Sequence, residues 1–180
     1  MFHGCSLLVY NELDSSSRYS DVMGAALFRP FHIDDETFLP HLVTATRVES
    51  EIVIKVEPLV QNPLTGELAV ADVSIGAIID QSQVRSLSFT PPALAMGGLP
   101  EVLCCCCEGI VIACVRRRGL VVAYHCEDEL VLIRQEHVEN YIVDGALRPG
   151  EGEATVELVL LLSDSENLRD GFVKSISISR

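Results

Sequence analysis

The sequence contains no tryptophan, and aromatic residues make up only 6% of its 180 residues. A buried core must therefore be built mainly from Val, Leu, Ile, Ala and Cys, of which Val and Ile pack well on the pleated surface of a sheet. Hydrophobic residues still account for 48% of the chain, a share that excludes intrinsic disorder. A chain of this length is the size of one domain with a sizeable core.

Long apolar runs are also missing, since no stretch approaches the roughly 18 to 20 residues that a membrane-spanning helix needs. The first residues, Met1-Phe2-His3-Gly4-Cys5, have no basic region of the kind that opens a signal peptide. We therefore expect a soluble protein without a membrane span.

Basic residues are scarce, because 13 Lys and Arg face 26 Asp and Glu and leave a net charge of −13. Phosphate backbones bind clustered Lys and Arg, so nucleic acid is not expected as a direct partner. The one basic cluster, Arg116-Arg117-Arg118, is followed by Gly119 and lies between two apolar runs. This pattern predicts a charged hairpin turn whose glycine supplies a positive φ. Contact with a phosphate group or an acidic peptide is the alternative.

Acidic residues cluster where loops are expected, at Asp34-Asp35-Glu36 and at Glu127-Asp128-Glu129. Solvated loops account for such clusters in many proteins, but the same charges also steer a basic partner toward the surface that bears them. The candidate partner-binding residues are Asp34, Asp35, Glu36, Glu127, Asp128, Glu129, Arg116, Arg117 and Arg118.

Motifs of catalysis are absent: the chain has no P-loop, no dinucleotide-binding glycine motif, no nucleophile elbow and no zinc-protease motif. His125 and Cys126 are neighbours, but adjacent side chains of a strand point to opposite faces and cannot bond to each other. If the chain is an enzyme, His125, Cys126 and Asp128 are its candidate residues. The sequence leaves that question open and favours a protein without catalysis, cofactor or metal.

The seven cysteines are an odd number, and four of them are consecutive at Cys104–Cys107. Because side chains alternate along a strand, these four thiols cannot all bind one tetrahedral zinc ion. Buried cysteine behaves as a small apolar residue, so the run predicts a core strand covered on both faces. Unpaired thiols in turn predict an intracellular, reducing compartment, the cytoplasm or the nucleus.

A pattern of apolar strands and prolines recurs three times, with anchors at Ala26–Pro30, Ser86–Pro91 and Gly145–Pro149 spaced about 60 residues apart. Two apolar runs follow each anchor: Leu42–Thr46 and Ile52–Val56, then Val102–Cys107 and Ile110–Val115, then Val156–Leu162 and Phe172–Ile178. The spacing predicts one all-β domain over 1–180, with repeat units of about 20–80, 81–138 and 139–180. A further strand at 6–10 matches the last strand of a preceding unit.

The segment Val84–Pro91, followed by Val102–Cys107, Glu108-Gly109 and Ile110–Val115, resembles a blade of the WD40-type β-propellers. In that family such a segment closes one blade and opens the next. The chain lacks the Gly-His and Trp-Asp dipeptides, and its period exceeds the usual roughly 40 to 45 residues. The resemblance implies a divergent, rigid platform that binds partners through its loops and rims.

Propellers have about four to eight blades, whereas this chain has about three units. We therefore expect an incomplete or partner-completed propeller, whose terminal strands at 6–10 and 172–179 are exposed edges that invite pairing with another chain. A β-sandwich or barrel is the alternative fold.

These observations favour a non-enzymatic interaction or scaffold subunit of an intracellular multiprotein complex. Its partners would be other protein subunits, bound through acidic loops and edge strands, that complete the sheet or propeller. A β module that binds a small ligand or a peptide is the second hypothesis, and an enzyme with a Cys/His site is the third.

Overall fold

The computed structural model describes residues 22–28, 41–49, 51–61, 63–66, 68–70, 74–80, 101–107, 109–152, 155–163 and 170–179. These residues form three antiparallel sheets, none of which closes on itself, and they confirm the predicted all-β class. This part of the chain contains no helix that is long and apolar enough to cross a membrane. The candidate residues Asp34, Asp35 and Glu36, the strand at 6–10 and the anchor Ser86–Pro91 lie outside the described residues.

The strands are β1 (Val22–Phe28), β2 (His41–Val48), β3 (Glu51–Gln61), β4 (Leu68–Val70), β5 (Ile75–Asp80), β6 (Val102–Cys107), β7 (Ile110–Val115), β8 (Leu120–Cys126), β9 (Leu130–His137), β10 (Tyr141–Pro149), β11 (Thr155–Ser163) and β12 (Gly171–Ser179). In the first sheet β1, β2 and β3 are consecutive neighbours, and the long β3 pairs along its first part with β5 and at its end with β4. The middle sheet has the order β6-β7-β8-β9, and the third sheet has the order β10-β11-β12.

The turn between β7 and β8 confirms the predicted charged hairpin connection. Arg116–Arg118 form one turn of 3₁₀ helix, and Gly119 ends it with a φ of 58°. A Cβ atom at Gly119 would lie 2.0 Å from the carbonyl oxygen of Val138. Only glycine fits this position, because it alone combines the left-handed backbone with the close approach.

The middle sheet lies between the other two and contributes side chains to two separate cores. In β6 the side chains of Val102 and Cys104 pack into the first core, against the first sheet. Leu103 and Cys105 face the second core, against the third sheet. The four-cysteine strand therefore alternates between two cores, as its period of two predicts, but only Cys104 of the four is buried, and Cys105, Cys106 and Cys107 are half-buried.

The opening strands of the three sheets lie beside one another. A Cβ atom at Gly24 of β1 would lie 2.0 Å from the carbonyl oxygen of Val102 in β6, and one at Gly145 of β10 would lie 3.1 Å from Cδ2 of Leu103. Among the described residues Val102–Cys107 is the first strand of its sheet, whereas β2 and β11 are second strands; because the anchor Ser86–Pro91 lies outside the described residues, the equivalence of the apolar runs stays a prediction.

Candidate interaction surface

The acidic cluster Glu127-Asp128-Glu129 forms the turn between β8 and β9, and all three residues are exposed. The backbone holds the turn in place, since the N–H of Glu127 donates to the carbonyl of Glu129 at 3.2 Å. One residue earlier, the N–H of Cys126 donates to the carbonyl of Gly109 at 2.8 Å and ties the turn to the neighbouring hairpin. We call Glu127, Asp128 and Glu129 the acidic turn.

The charge of the acidic turn is largely uncompensated. Glu127 lies 3.5 Å from Nε2 of His125, and its side chain is 70% exposed. Among the described residues, Asp128 and Glu129 have no ion-pair partner. Three carboxylates on a fixed hairpin therefore face solvent together, in a protein whose net charge is already negative.

The basic cluster is divided by the fold. Arg116 is buried, and its Nη1 donates to the carbonyl of Ile142 at 3.2 Å and to the carbonyl of Val143. These bonds join the β7–β8 turn of the middle sheet to β10 of the third sheet. Arg117 is exposed and Arg118 is half-buried, so these two are the members of the cluster that reach the surface.

The acidic turn and the three arginines are not brought together. They lie at opposite ends of β8, whose seven residues separate them by about 20 Å at the usual rise of roughly 3.3 Å per residue. A single partner side chain cannot contact both clusters. Of the described candidates, the acidic turn therefore belongs to one surface, and Arg117 and Arg118 belong to another.

The candidate thiol Cys126 is in an apolar environment, where it packs against the first core. Burial raises the pKa of Cys126 to about 11, and the nearby Glu127 carboxylate acts in the same direction. A nucleophilic cysteine needs the opposite shift, because the thiolate is the reactive form. Burial likewise raises the pKa of Cys104 to about 12 and that of Cys114 well above its usual range. Within the described ranges, no group of three His, Cys, Asp or Glu residues could hold a metal ion.

A third charged group was missed by the sequence analysis. Glu136 of β9 accepts from Nη2 of Arg134 at 2.6 Å and from Nζ of Lys174 in β12 at 2.9 Å. The pKa of the Glu136 carboxyl is lowered, first by the hydrogen bond from Lys174. We call Arg134, Glu136 and Lys174 the edge cluster, because they join the last strands of the middle and third sheets. Arg134 and Glu136 have the spacing of one strand face, but nothing in the sequence places Lys174 beside them.

No family model, curated protein or solved structure matches this chain.

Proposed function

We propose that this chain is a non-enzymatic interaction or scaffold subunit of an intracellular multiprotein assembly, and that it binds partners through its acidic turn and its edge strands. The observation that supports this proposal most directly is the acidic turn itself. Its three exposed acidic residues lie at the tip of a hairpin whose backbone is fixed by hydrogen bonds. A turn with a fixed backbone loses little backbone entropy when a partner binds it.

The architecture supports the same function. Three stacked sheets with adjacent opening strands fit a propeller-like platform of about three units, which a partner would complete. In such a platform the turns between strands project from a rigid scaffold, and binding residues are commonly found there. The acidic turn is one of these connections.

The chemistry of the partner follows from the charge. A surface with Lys or Arg side chains complements the acidic turn, and long-range attraction between the two raises the association rate more than the final affinity. A nucleic acid would be repelled by the same carboxylates. The partner is therefore a protein with a basic patch.

A catalytic role has less support from the same geometry. The thiol of Cys126 is protonated at neutral pH, because its pKa lies at about 11. His125 and Cys126 are consecutive on β8 and project from opposite faces of the strand. The two side chains thus lack the arrangement of a base that activates a nucleophile.

The proposal is tested by purifying the tagged full-length chain from its own cells and quantifying the proteins that accompany it. The test variant reverses the acidic turn, Glu127→Lys, Asp128→Lys and Glu129→Lys. The control variant makes the same change in net charge at three other exposed acids, Glu139→Lys, Asp144→Lys and Glu151→Lys. We expect at least one partner whose recovery falls about fivefold or more in the test variant but not in the control. Equal recovery of every partner with all three proteins would contradict the proposal.

A further inference from the structure

The last strand of the third sheet pairs on one side only within the part of the chain that the structure describes. β12 pairs with β11 over nine consecutive residues, from Ser163↔Gly171 to Thr155↔Ser179, without a register shift. Among the described residues no strand pairs with its other side.

The direction of the backbone groups on that side can be assigned from one contact. Nη1 of Arg134 donates to the carbonyl of Ser177 at 2.7 Å, so this carbonyl points away from β11. In an antiparallel ladder the N–H and C=O of one residue point to the same side, and the side alternates along the strand. Gly171, Val173 and Ser175 therefore also direct their N–H and C=O groups outward. We call these three residues the open edge.

The other two sheets show what occupies the equivalent position. In the middle sheet the third strand, β8, has a fourth strand, β9, on its outer side. In the first sheet the third strand, β3, has β5 there. The third sheet has the same order of opening, second and third strands, and its place for a fourth strand is beside the open edge.

The open edge lacks the features that usually prevent strand addition. Exposed edges in natural proteins are commonly protected by proline, by lysine or by a bulge. β12 has no proline and no bulge, and its lysine, Lys174, is bonded to Glu136. Among the described residues Arg134 bonds to the backbone of this edge, at Ser177, and Gly171, Val173 and Ser175 are exposed.

The side chains around the open edge indicate what kind of strand would fit. Val173 is 66% exposed and Phe172 is 43% exposed, and as neighbours on a strand they lie on opposite faces of the sheet. Apolar side chains of an added strand would cover both. The edge cluster nearby combines two cations with one carboxylate, a net positive charge in an acidic protein.

We propose that the open edge binds an extended segment of a partner protein, which adds a fourth strand to the third sheet. The segment is apolar at the positions that cover Phe172 and Val173, and it has a carboxylate beside the edge cluster. This inference deepens the proposed function, on which it rests, because it assigns an edge strand and a ligand class to it. Main-chain hydrogen bonds supply the affinity in this mode of recognition, and alternate side chains supply the specificity.

The test uses the full chain and two designed peptides, acetyl-Thr-Val-Glu-Val-Thr-Val-amide and its counterpart with Lys in place of Glu. Binding is followed by fluorescence anisotropy of labelled peptides and by amide hydrogen exchange. We expect the Glu peptide to bind about fivefold or more tightly than the Lys peptide, as charge complementarity requires. It should slow exchange at the N–H groups of Val173 and Ser175, which point outward, and leave Lys174 and Ile176 unchanged because these already pair with β11.

Two variants separate the backbone contact from the side-chain contact. Val173→Pro removes an outward N–H without removing a bond to β11, a place where proline is tolerated on an edge. It should weaken binding of the Glu peptide about tenfold or more, because the N–H of Val173 forms one of the main-chain hydrogen bonds to the peptide. Val173→Thr keeps the N–H and the β propensity, and it should bind within about threefold of the native chain. Circular dichroism of both variants shows whether the fold is retained.

The outcomes distinguish this inference from the proposed function. Equal binding by Val173→Pro and Val173→Thr, or slowed exchange at residues other than the open edge, would overturn strand addition at β12. Self-association of the native chain that Val173→Pro abolishes would overturn it too, because the occupant would then be a second copy. Reversal of the acidic turn should leave peptide binding unchanged. If the peptides fail to bind while that reversal still reduces partner recovery, only the inference about the open edge is wrong.

Discussion

The middle and third sheets are built from similar strands but differ in how many faces they bury. Every residue of β7 is buried, and so is β8 from Leu120 to Tyr124. In β12, by contrast, buried Ile176 and Ile178 alternate with exposed serines. A sheet covered on both sides needs no polar face, whereas a sheet covered on one side keeps alternation. Of these two sheets, the third is therefore the one whose backbone and side chains are available for recognition.

The two sheets also use their charged residues differently. Arg116 at the end of the middle sheet is buried and bonded to backbone carbonyls of β10. On the outer face of the third sheet, Arg148 and Glu157 form an ion pair that remains in contact with solvent. The first contact joins two sheets, and the second belongs to a surface.

The largest expected loss of stability comes from truncating buried side chains, compared with an exposed side chain of the third sheet. Ile112→Ala in the middle sheet and Leu160→Ala in the third should each lower the free energy of unfolding by about 2 to 5 kcal/mol, because both side chains are fully buried. Leu161→Ala should cost less than about 1 kcal/mol, since its side chain is 40% exposed. Urea denaturation measures all three. If Leu161→Ala costs as much as Leu160→Ala, the outer face of the third sheet is covered and the comparison is wrong.

The second prediction concerns the contact between the two sheets. Arg116→Met removes a charged donor from the buried carbonyl of Ile142 and the half-buried carbonyl of Val143, and it should lower stability by about 1.5 to 3 kcal/mol. Arg117→Met is the matched control at an exposed position and should stay within about 0.5 kcal/mol. Thermal unfolding compares the two variants. Equal stability would show that Arg116 does not hold the sheets together.

Alkaline pH should weaken the middle sheet. Burial raises the pKa of Cys104 from 9.0 to about 12 and that of Tyr124 from 10.0 to about 12. The unfolded chain releases these protons at lower pH than the folded chain does, so stability is retained below about pH 8 and falls as the pH rises toward 12. Cys104→Val removes one of the titrating groups and should make the fall shallower. Melting temperatures between pH 8 and 11 that decline equally in both proteins would contradict this assignment.

Part of this comparison could be predicted from the sequence. The uninterrupted apolar runs Ile110–Val115 and Val102–Cys107 indicated strands covered on both faces, and Gly119 after three arginines indicated the turn. Periodicity could not show which of Arg116 and Arg117 is buried, because burial there depends on the approach of β10 and not on residue type. The edge cluster could not be predicted either, because Lys174 lies 38 residues from Glu136 in the chain and only the packing of the two sheets brings them together.

The smallest expected effect lies at the edge cluster. The pKa of Glu136 is lowered by hydrogen bonds and charge from Lys174 and Arg134. The stability that this lowering contributes is present above the ordinary pKa of a glutamate and is lost as the pH falls through the lowered pKa of the folded state. Glu136→Gln should therefore cost less than about 1 kcal/mol at pH 7, and this cost should shrink as the pH is lowered into the acid range. Glu139→Gln, at an exposed site, is the control, and its melting temperature at pH 7 should match that of the native chain.

The central claim is that the acidic turn steers a basic protein partner to this chain. It is tested most directly by the association rate constant with a purified partner, measured by stopped-flow at several salt concentrations. For the Glu127→Lys, Asp128→Lys and Glu129→Lys variant we expect association about tenfold slower at low salt, and a difference from the native chain that fades as the Debye length shrinks from about 10 Å at 0.1 M to about 3 Å at 1 M. Melting temperature should hardly change, because exposed charges contribute little to folding. An unchanged rate and an unchanged salt dependence, with the Glu139→Lys, Asp144→Lys and Glu151→Lys control alongside, would show that recognition does not use the acidic turn.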